Sequence, residues 1–240
     1  RMKSNRQPEW NRRMKKMFSG ISRRYDLLNT LMTFGRDRRW RETVIGMTGI
    51  RAGGLLLDAG AGTGKIAHEA LLKEPLINVI AADLTPEMMK VGRENSRGTN
   101  ITWCCADALD LPFCDNTFDA VTSGYLIRNV PDIIRCFSEQ FRVVKPGGKV
   151  VCLDTAPPPD TLLKPLVLFH LKVVIPVIGG LISGKWDAYQ YLPESTRSFK
   201  TPEEISGIML AAGFTDIEYT RYMFGTIVII KGTRPLMPPS

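Results

Sequence analysis

Histidine is scarce in this chain of 240 residues: His68 and His170 are the only two, which argues against a histidine-rich metal centre. The five cysteines (Cys104, Cys105, Cys114, Cys136 and Cys152) form no C-x-x-C pair and leave one over, so neither a disulfide framework nor a thiolate metal site is expected. Reduced thiols of a cytoplasmic protein account for them. The most apolar stretch, residues 162–184, is broken by Lys164, Pro165, His170, Lys172 and Pro176. A spanning helix needs about 20 consecutive apolar residues, so no transmembrane segment is predicted. Positive charge near the start is not followed by an apolar core, which excludes a secretory signal as the reading of that segment. Internal repeats and low-complexity tracts are missing as well. An Asn-Pro-Pro-Tyr base-methylation motif and a recognisable RNA-binding module are also absent, which speaks against a nucleic-acid partner.

What is present suits one α/β domain with an added lid, since two full domains would be cramped at this length. Hydrophobic residues make up 44% of the chain, ample for a core, and charged residues 23%. The net charge of +8 is concentrated at the start, where residues 1–18 carry seven Lys or Arg against Glu9. Within that segment Trp10, Met14, Met17 and Phe18 recur at helical spacing, giving an apolar face beneath a basic one. Two readings fit it. One is a helix lying on an anionic membrane surface; the other is a helix docked on the core with a solvated basic side.

The chemistry concentrates in residues 55–64, Leu-Leu-Leu-Asp-Ala-Gly-Ala-Gly-Thr-Gly. An apolar strand ends at Asp58, and Gly60, Gly62 and Gly64 then open a helix through Thr63. Such a turn brings bare backbone close to a ligand. By itself it would serve a dinucleotide equally well. A second apolar run, Val79 to Ala82, ends at Asp83 beside Leu84, where an acid about 20 residues beyond the glycines takes both hydroxyls of an adenosine ribose. A third run, Ile101 to Ala106, ends at Asp107, placed to accept from an adenine amino group. Asp58 favours a ligand bearing a positive amino group over a pyrophosphate. The three strand ends together point to S-adenosylmethionine.

Helices are predicted over residues 9–19, 36–48, 65–73, 86–95 and 132–144, with a polar stretch from Ser22 to Asn29 between the first two. Their alternation with apolar strands from 55 to about 153 predicts a parallel sheet covered on both faces. Lys145-Pro146-Gly147-Gly148 reads as a helix stop and turn before a strand from Lys149 to Asp154. The apolar stretch after Pro157-Pro158-Pro159 reads as a helical lid inserted between sheet strands. Thr201-Pro202-Glu203-Glu204 then opens another helix, with Thr201 as its N-cap. Strands Asp216–Tyr222 and Gly225–Lys231 complete the pattern as an antiparallel hairpin.

Tyr25-Asp26-Leu27-Leu28-Asn29, then Thr33-Phe34-Gly35 and Arg39-Trp40, form a distinctive early motif. Leu111-Pro112-Phe113, Ile127-Arg128-Asn129-Val130, Arg142 to Gly148, and the run Asp187, Tyr189, Tyr191, Leu192, Glu194 and Ser195 follow it. On these motifs the chain, from about Met17 to Lys231, resembles the ubiquinone/menaquinone biosynthesis C-methyltransferases. The resemblance implies a Rossmann-like class I fold dependent on S-adenosylmethionine, with a mostly parallel sheet, an antiparallel last strand and a helical lid. It implies cap helices over residues 1–50 and a methyltransferase domain over 51–240, with the lid at about 157–200. Cofactor contacts are implied at Thr63, Asp83, Asp107 and Ala108, and near Gly124, with Ser123 adjacent. Four positions depart from the family pattern. Lys65 stands where Asp is usual, Asp107 where Asn is usual, Gly124 where Ser is usual, and Asp37 where His is common.

The implied reaction places a methyl group on a ring carbon of a polyprenyl quinol, with demethylmenaquinol favoured over a benzoquinol. A ring carbon becomes nucleophilic only when the adjacent phenol ionises, and a phenol near pKa ~10 needs help to do so at neutral pH. Arg128 is the expected cation, since a guanidinium stays charged and forks onto an oxyanion; its alternative is an ion pair with Asp132. Asn129 is expected to position the quinol oxygen or a water, and Tyr191 to close over the ring together with Tyr25, Asp26 and Tyr189. His170, within the apolar lid, reads as structural. A membrane-surface location at the inner face suits a lipid substrate, and a homodimer is left open. Three other readings are weighed. One is a methyltransferase for another apolar small molecule such as a sterol. The second is an arsenical enzyme, for which Cys104 and Cys105 point to opposite strand faces. The third is a cofactor-binding protein without catalysis.

Overall fold

The computed structural model describes residues 6–174, 176–177 and 199–236. Strands β1 (Leu55–Ala59), β2 (Asn78–Asp83), β3 (Ile101–Cys105), β4 (Phe118–Gly124), β5 (Val144–Thr155), β6 (Thr215–Tyr222) and β7 (Ile227–Thr233) form one sheet in the order β3-β2-β1-β4-β5-β7-β6. The first five are parallel, and β7 pairs antiparallel with both β5 and β6. The predicted terminal hairpin is therefore present, with its second strand lying inside the sheet.

Strand neighbours point to opposite faces, and Leu56 and Leu57, both fully buried, fill two separate cores. Leu56 packs beneath α3 (Asp37–Thr48) and α4 (Lys65–Lys73), through Trp40, Val44, Ile66 and Ala70. Leu57 packs beneath α6 (Ile133–Val143) and α8 (Pro202–Ala211), through Phe137, Ile205 and Met209. Burial on both faces explains why these strands read as continuous apolar runs. Thr201 caps α8 with a reciprocal box: Glu204 N–H donates to its hydroxyl at 3.3 Å and Thr201 N–H to the Glu204 carboxylate at 2.7 Å.

Two expectations need correction, and one open choice is decided. The stretch read as polar, Ser22–Asn29, overlaps α2 (Tyr25–Met32), because Leu28 and Met32 at i, i+4 bury with Ile21 into a small satellite core. It stops where Gly35, at φ 72°, returns its N–H to Thr30 O at 2.7 Å. The Lys145–Gly148 turn is part of β5, entered through a register shift against β4. A Cβ at Gly148 would stand 2.8 Å from Asp119 O. Lastly, the apolar face of α1 (Arg6–Ile21) turns inward: Met14 is buried and the Trp10 indole N–H donates to Asn129 O at 2.9 Å. Of the two readings of this segment, the docked helix is the one observed.

The lid segment opens with α7 (Lys164–Phe169) and widens into a π-helical turn at His170–Val174. Tyr191, like Tyr189, lies outside the described residues. Among the described residues no helix is long and apolar enough to cross a membrane, and no group of His, Cys, Asp or Glu is arranged to hold a metal.

Candidate active site

Three cavities meet at the carboxyl ends of β1, β2, β4 and β5, the edge where an open parallel sheet takes its ligand. The one over the glycine turn and the largest of the three share Tyr125 and Asn29 in their walls.

The cavity over the glycine turn has a volume of about 240 Å³. Gly60, Gly62 and Gly64 all adopt left-handed φ, between 56° and 73°. A Cβ at Gly60 would lie 2.7 Å from Leu126, and one at Gly64 2.6 Å from the Trp103 ring. Asp58 sits beneath the turn, 1% exposed. Its carboxylate accepts from Ala67 N–H at 3.1 Å and the Thr122 hydroxyl at 3.2 Å. Burial pushes Asp58 up to about 7, against those two hydrogen bonds, with Asp83 adding to the rise. No cation pairs with Asp58 among the described residues. Thr63 donates its hydroxyl to Asp26 of α2 at 2.5 Å, and Lys65 lies 3.4 Å from the other oxygen of that carboxylate.

Arg41, which sequence reasoning missed, lines the same cavity. It pairs with buried Asp37 at 2.7 Å, which Thr30 also contacts, and its Nε is buried with no partner among the described residues. Its relevance depends on α3 packing over β4 and β5, which no local pattern reveals.

The smallest of the three holds the other strand-end acids. Asp83 accepts from Gly62 N–H at 2.8 Å and Thr85 N–H at 2.7 Å, one on each carboxylate oxygen, with the Thr85 hydroxyl and Leu84 N–H also donating to it. Burial raises its pKa. Leu84, Asp107 and Ala108 line this cavity together with Met14 and Phe18 of α1. Asp107 accepts from Leu109 N–H on one oxygen, and on the other from the side-chain amides of Gln7 at 3.1 Å and Asn11 at 2.8 Å.

The largest cavity, about 410 Å³, is walled by Met32, Phe34, Leu163, Leu166, Phe169 and Ile227 among others. Arg128 enters it with a side chain only 6% exposed. Its partner is Asp154, at 3.3 Å, rather than Asp132, whose carboxylate caps α6 through Arg135 N–H. Thr155 accepts from the same guanidinium at 3.1 Å, which lies 4.9 Å from the centre of the Tyr125 ring. Burial lifts Asp154, and the guanidinium opposes that rise. Two buried polar atoms of this cavity have no partner among the described residues: Arg128 Nε and His170 Nε2. His170 also stacks on Phe34 at 5.5 Å.

Two expected site residues are displaced. Asn129 follows Arg128 but faces the cavity with Asp83 and Asp107, and its amide donates to Tyr125 O at 2.6 Å. Ser123 is fully buried and lines none of the three cavities, because period-2 alternation turns it away when Gly124 faces the site. Gly124 lines the glycine-turn cavity, where a Cβ would stand 2.7 Å from Ile66. Asp154 could have been found from sequence, since it ends an apolar strand run as Asp58 and Asp83 do.

Solved structures share this fold. A possible histamine N-methyltransferase from Thermotoga maritima, dependent on S-adenosylmethionine, superposes with a TM-score of 0.65 at 19% identity, covering 92% of this chain and 99% of that one. Phosphoethanolamine N-methyltransferase 2 from Haemonchus contortus, in complex with S-adenosyl-L-methionine, gives 0.63 at 20% identity; the match covers 82% of this chain but only 52% of that one. Identities this low show the fold alone. Sequence relatives reach further. A ubiquinone/menaquinone biosynthesis C-methyltransferase from Desulfotalea psychrophila is 42% identical over 92% of this chain and 90% of its own length. A demethylmenaquinone methyltransferase from Thermus thermophilus is 41% identical over 91% of this chain and all of its own length. The model of the ubiE/COQ5 methyltransferase family matches residues 6–234, and the chain belongs to that family.

Proposed function

We propose that this protein transfers a methyl group from S-adenosylmethionine to a ring carbon of a polyprenyl quinol, with demethylmenaquinol the favoured acceptor. One observation carries the reading. A charged cavity with a glycine turn and an apolar cavity containing a buried guanidinium share the Tyr125–Asn29 wall. Donor and acceptor can thus be held next to each other, with the reacting carbons meeting where the two cavities adjoin beside Tyr125 and Asn29.

The residues present fit the cofactor. The left-handed glycines hold the turn in a backbone conformation, packed against Leu126 and Trp103, that no side chain could share, buried Asp58 suits an ammonium group, and Arg41 Nε with Lys65 suits a carboxylate. Asp83 stands at the end of β2 where its carboxylate can take ribose hydroxyls, and Asp107 lies beside Ala108 where an adenine edge would meet them. When bound, S-adenosylmethionine supplies an electrophilic methyl on a sulfonium.

On the acceptor side, Arg128 Nε donates to one quinol oxygen and stabilises its anion as the ring becomes nucleophilic. His170 Nε2 accepts the proton from a quinol hydroxyl. A quinol thus satisfies both orphaned atoms, while the apolar walls receive its prenyl tail and exclude water. Such a lipid resides in a bilayer, so the protein is expected to work at the membrane surface.

The test uses labelled S-adenosylmethionine with short-chain naphthoquinones and benzoquinones, each offered oxidised and reduced. Label entering the naphthoquinol only after reduction is the expected result. Cofactor binding without methylation of either reduced ring would refute a quinol acceptor.

A further inference from the structure

We propose that the exposed rim of the apolar cavity, built by α2 and α7, is a docking surface for an anionic lipid bilayer. The proposal rests on the reading of this cavity as the site of a lipid-tailed acceptor and identifies the surface through which such a molecule enters.

On α2, Leu27 and Leu31 at i, i+4 are 54% and 43% exposed, on a different side of the helix from buried Leu28 and Met32. Phe34, two residues past the end of α2, is 70% exposed. On α7 and its entry, Leu163, Leu166 and Phe169 are likewise exposed, and Leu162 just before them is fully so. The two stripes meet where Phe34 stacks on His170. Most of these side chains also line the cavity, so the outer patch and inner wall form one continuous apolar surface. Isolated exposed leucines need no explanation, but a contiguous patch around a cavity mouth does.

Backbone strain adds an independent sign. Phe34 (φ 52°) and Phe224 (φ 54°) both hold left-handed conformations, uncommon for bulky residues, and both present exposed rings at the same mouth. Strain of this kind persists where the surrounding structure fixes it, and it clusters at functional surfaces.

Charge identifies the occupant. Arg23 and Arg24 precede α2, while Arg36 and Arg39 follow it, all exposed; Arg38 pairs with Glu42 and Glu69. The acids of the same segment face inward: Asp26 engages Thr63 and Lys65, and buried Asp37 engages Arg41. An apolar patch edged by arginines fits acyl chains flanked by anionic headgroups. The apolar face of α1 cannot serve, since it is packed on the protein.

The experiment is flotation of the full chain, without substrate, on vesicles of phosphatidylcholine alone or mixed with phosphatidylglycerol. Two double variants avoid the cavity walls: L31D/L162D and R36E/R39E. Wild type is expected to float with phosphatidylglycerol vesicles and much less with phosphatidylcholine alone. Each double variant should lose roughly tenfold or more of that binding, while its thermal unfolding and its methylation of a soluble short-chain naphthoquinol stay near wild type. Wild type failing to float, or either variant floating like wild type, overturns the proposal. So does a wild-type dimer in sedimentation that L31D/L162D converts to monomer without any vesicle binding; the face would then join copies of this chain. Vesicle binding that holds as expected while no reduced quinone is methylated would instead refute the proposed acceptor and leave the surface standing.

Discussion

Lowering the pH from about 7.5 to about 6 should weaken cofactor binding through Asp58 alone, and the size of the effect follows from its burial. The carboxyl has its folded-state pKa raised to about 7, chiefly by desolvation. Because this value lies above the ordinary carboxylate range, the protonated form is the one the ligand-free fold favours. Stability of the ligand-free protein therefore declines as pH rises from about 4 towards about 7. An ammonium group bound against Asp58 reverses the preference and holds the carboxylate ionised. Binding below pH ~7 must then expel the proton: about 0.9 proton per site at pH ~6 and about 0.2 at pH ~7.5. The corresponding loss of affinity between these two conditions is about eightfold, or ~1.2 kcal/mol. Titration calorimetry in buffers of different ionisation enthalpy measures both quantities. Asp58→Asn should bind more weakly at pH ~7.5 and lose the pH dependence. Affinity that stays flat from pH ~6 to ~7.5 with no proton release would refute contact between Asp58 and the cofactor's ammonium group.

Gly64→Ala drives a Cβ to 2.6 Å from the Trp103 ring at a φ of 73°, so cofactor binding should fall at least about tenfold by calorimetry, with lowered thermal stability. Arg128→Ala leaves the buried Asp154 carboxylate unpaired. Methylation of a short-chain naphthoquinol should drop by about a hundredfold or more, and urea unfolding should show a loss of about 3 kcal/mol. His170→Phe keeps an aromatic ring against Phe34 but removes the acceptor. The turnover number should fall about a hundredfold in single-turnover assays, with cofactor affinity unchanged; an unchanged turnover would refute the proton-accepting role. Phe137→Ala, in the core beneath the sheet and away from the three cavities, should cost about 3–5 kcal/mol in urea unfolding while leaving the pH dependence of cofactor binding intact.

The cofactor edge was legible because its signals are local and cumulative. Asp58, Asp83 and Asp107 each end an apolar run, and a parallel sheet must bring such ends to one edge. Asp154 obeys the same rule, but its role depends on pairing with Arg128 from beyond the end of β4, which the sequence does not show. Ser123 and Gly124 show the limit of adjacency: either could face the ligand, and only the register of β4 against β1 and β5 decides between them. Amphipathic spacing in α1 predicted a helix with one apolar side but not the surface beneath it, because a bilayer and a protein core ask for the same pattern. The short helix α2 stayed hidden because its polar neighbours masked the Leu28–Met32 pair that buries. Arg41 and His170 matter through what lies across a cavity from them, and that information belongs to tertiary packing.

Gln7 and Asn11 each present a side-chain amide N–H to one oxygen of Asp107, the same kind of donor that an adenine amino group offers. On the proposed placing of adenine at Asp107, the helix would mimic part of its own ligand and the purine edge would be recognised by competition. Hydrogen bonds there would then be exchanged when a nucleoside arrives rather than created, and selectivity would come from the comparison. A hypoxanthine counterpart would set a carbonyl oxygen against the carboxylate, and the helix amides would win.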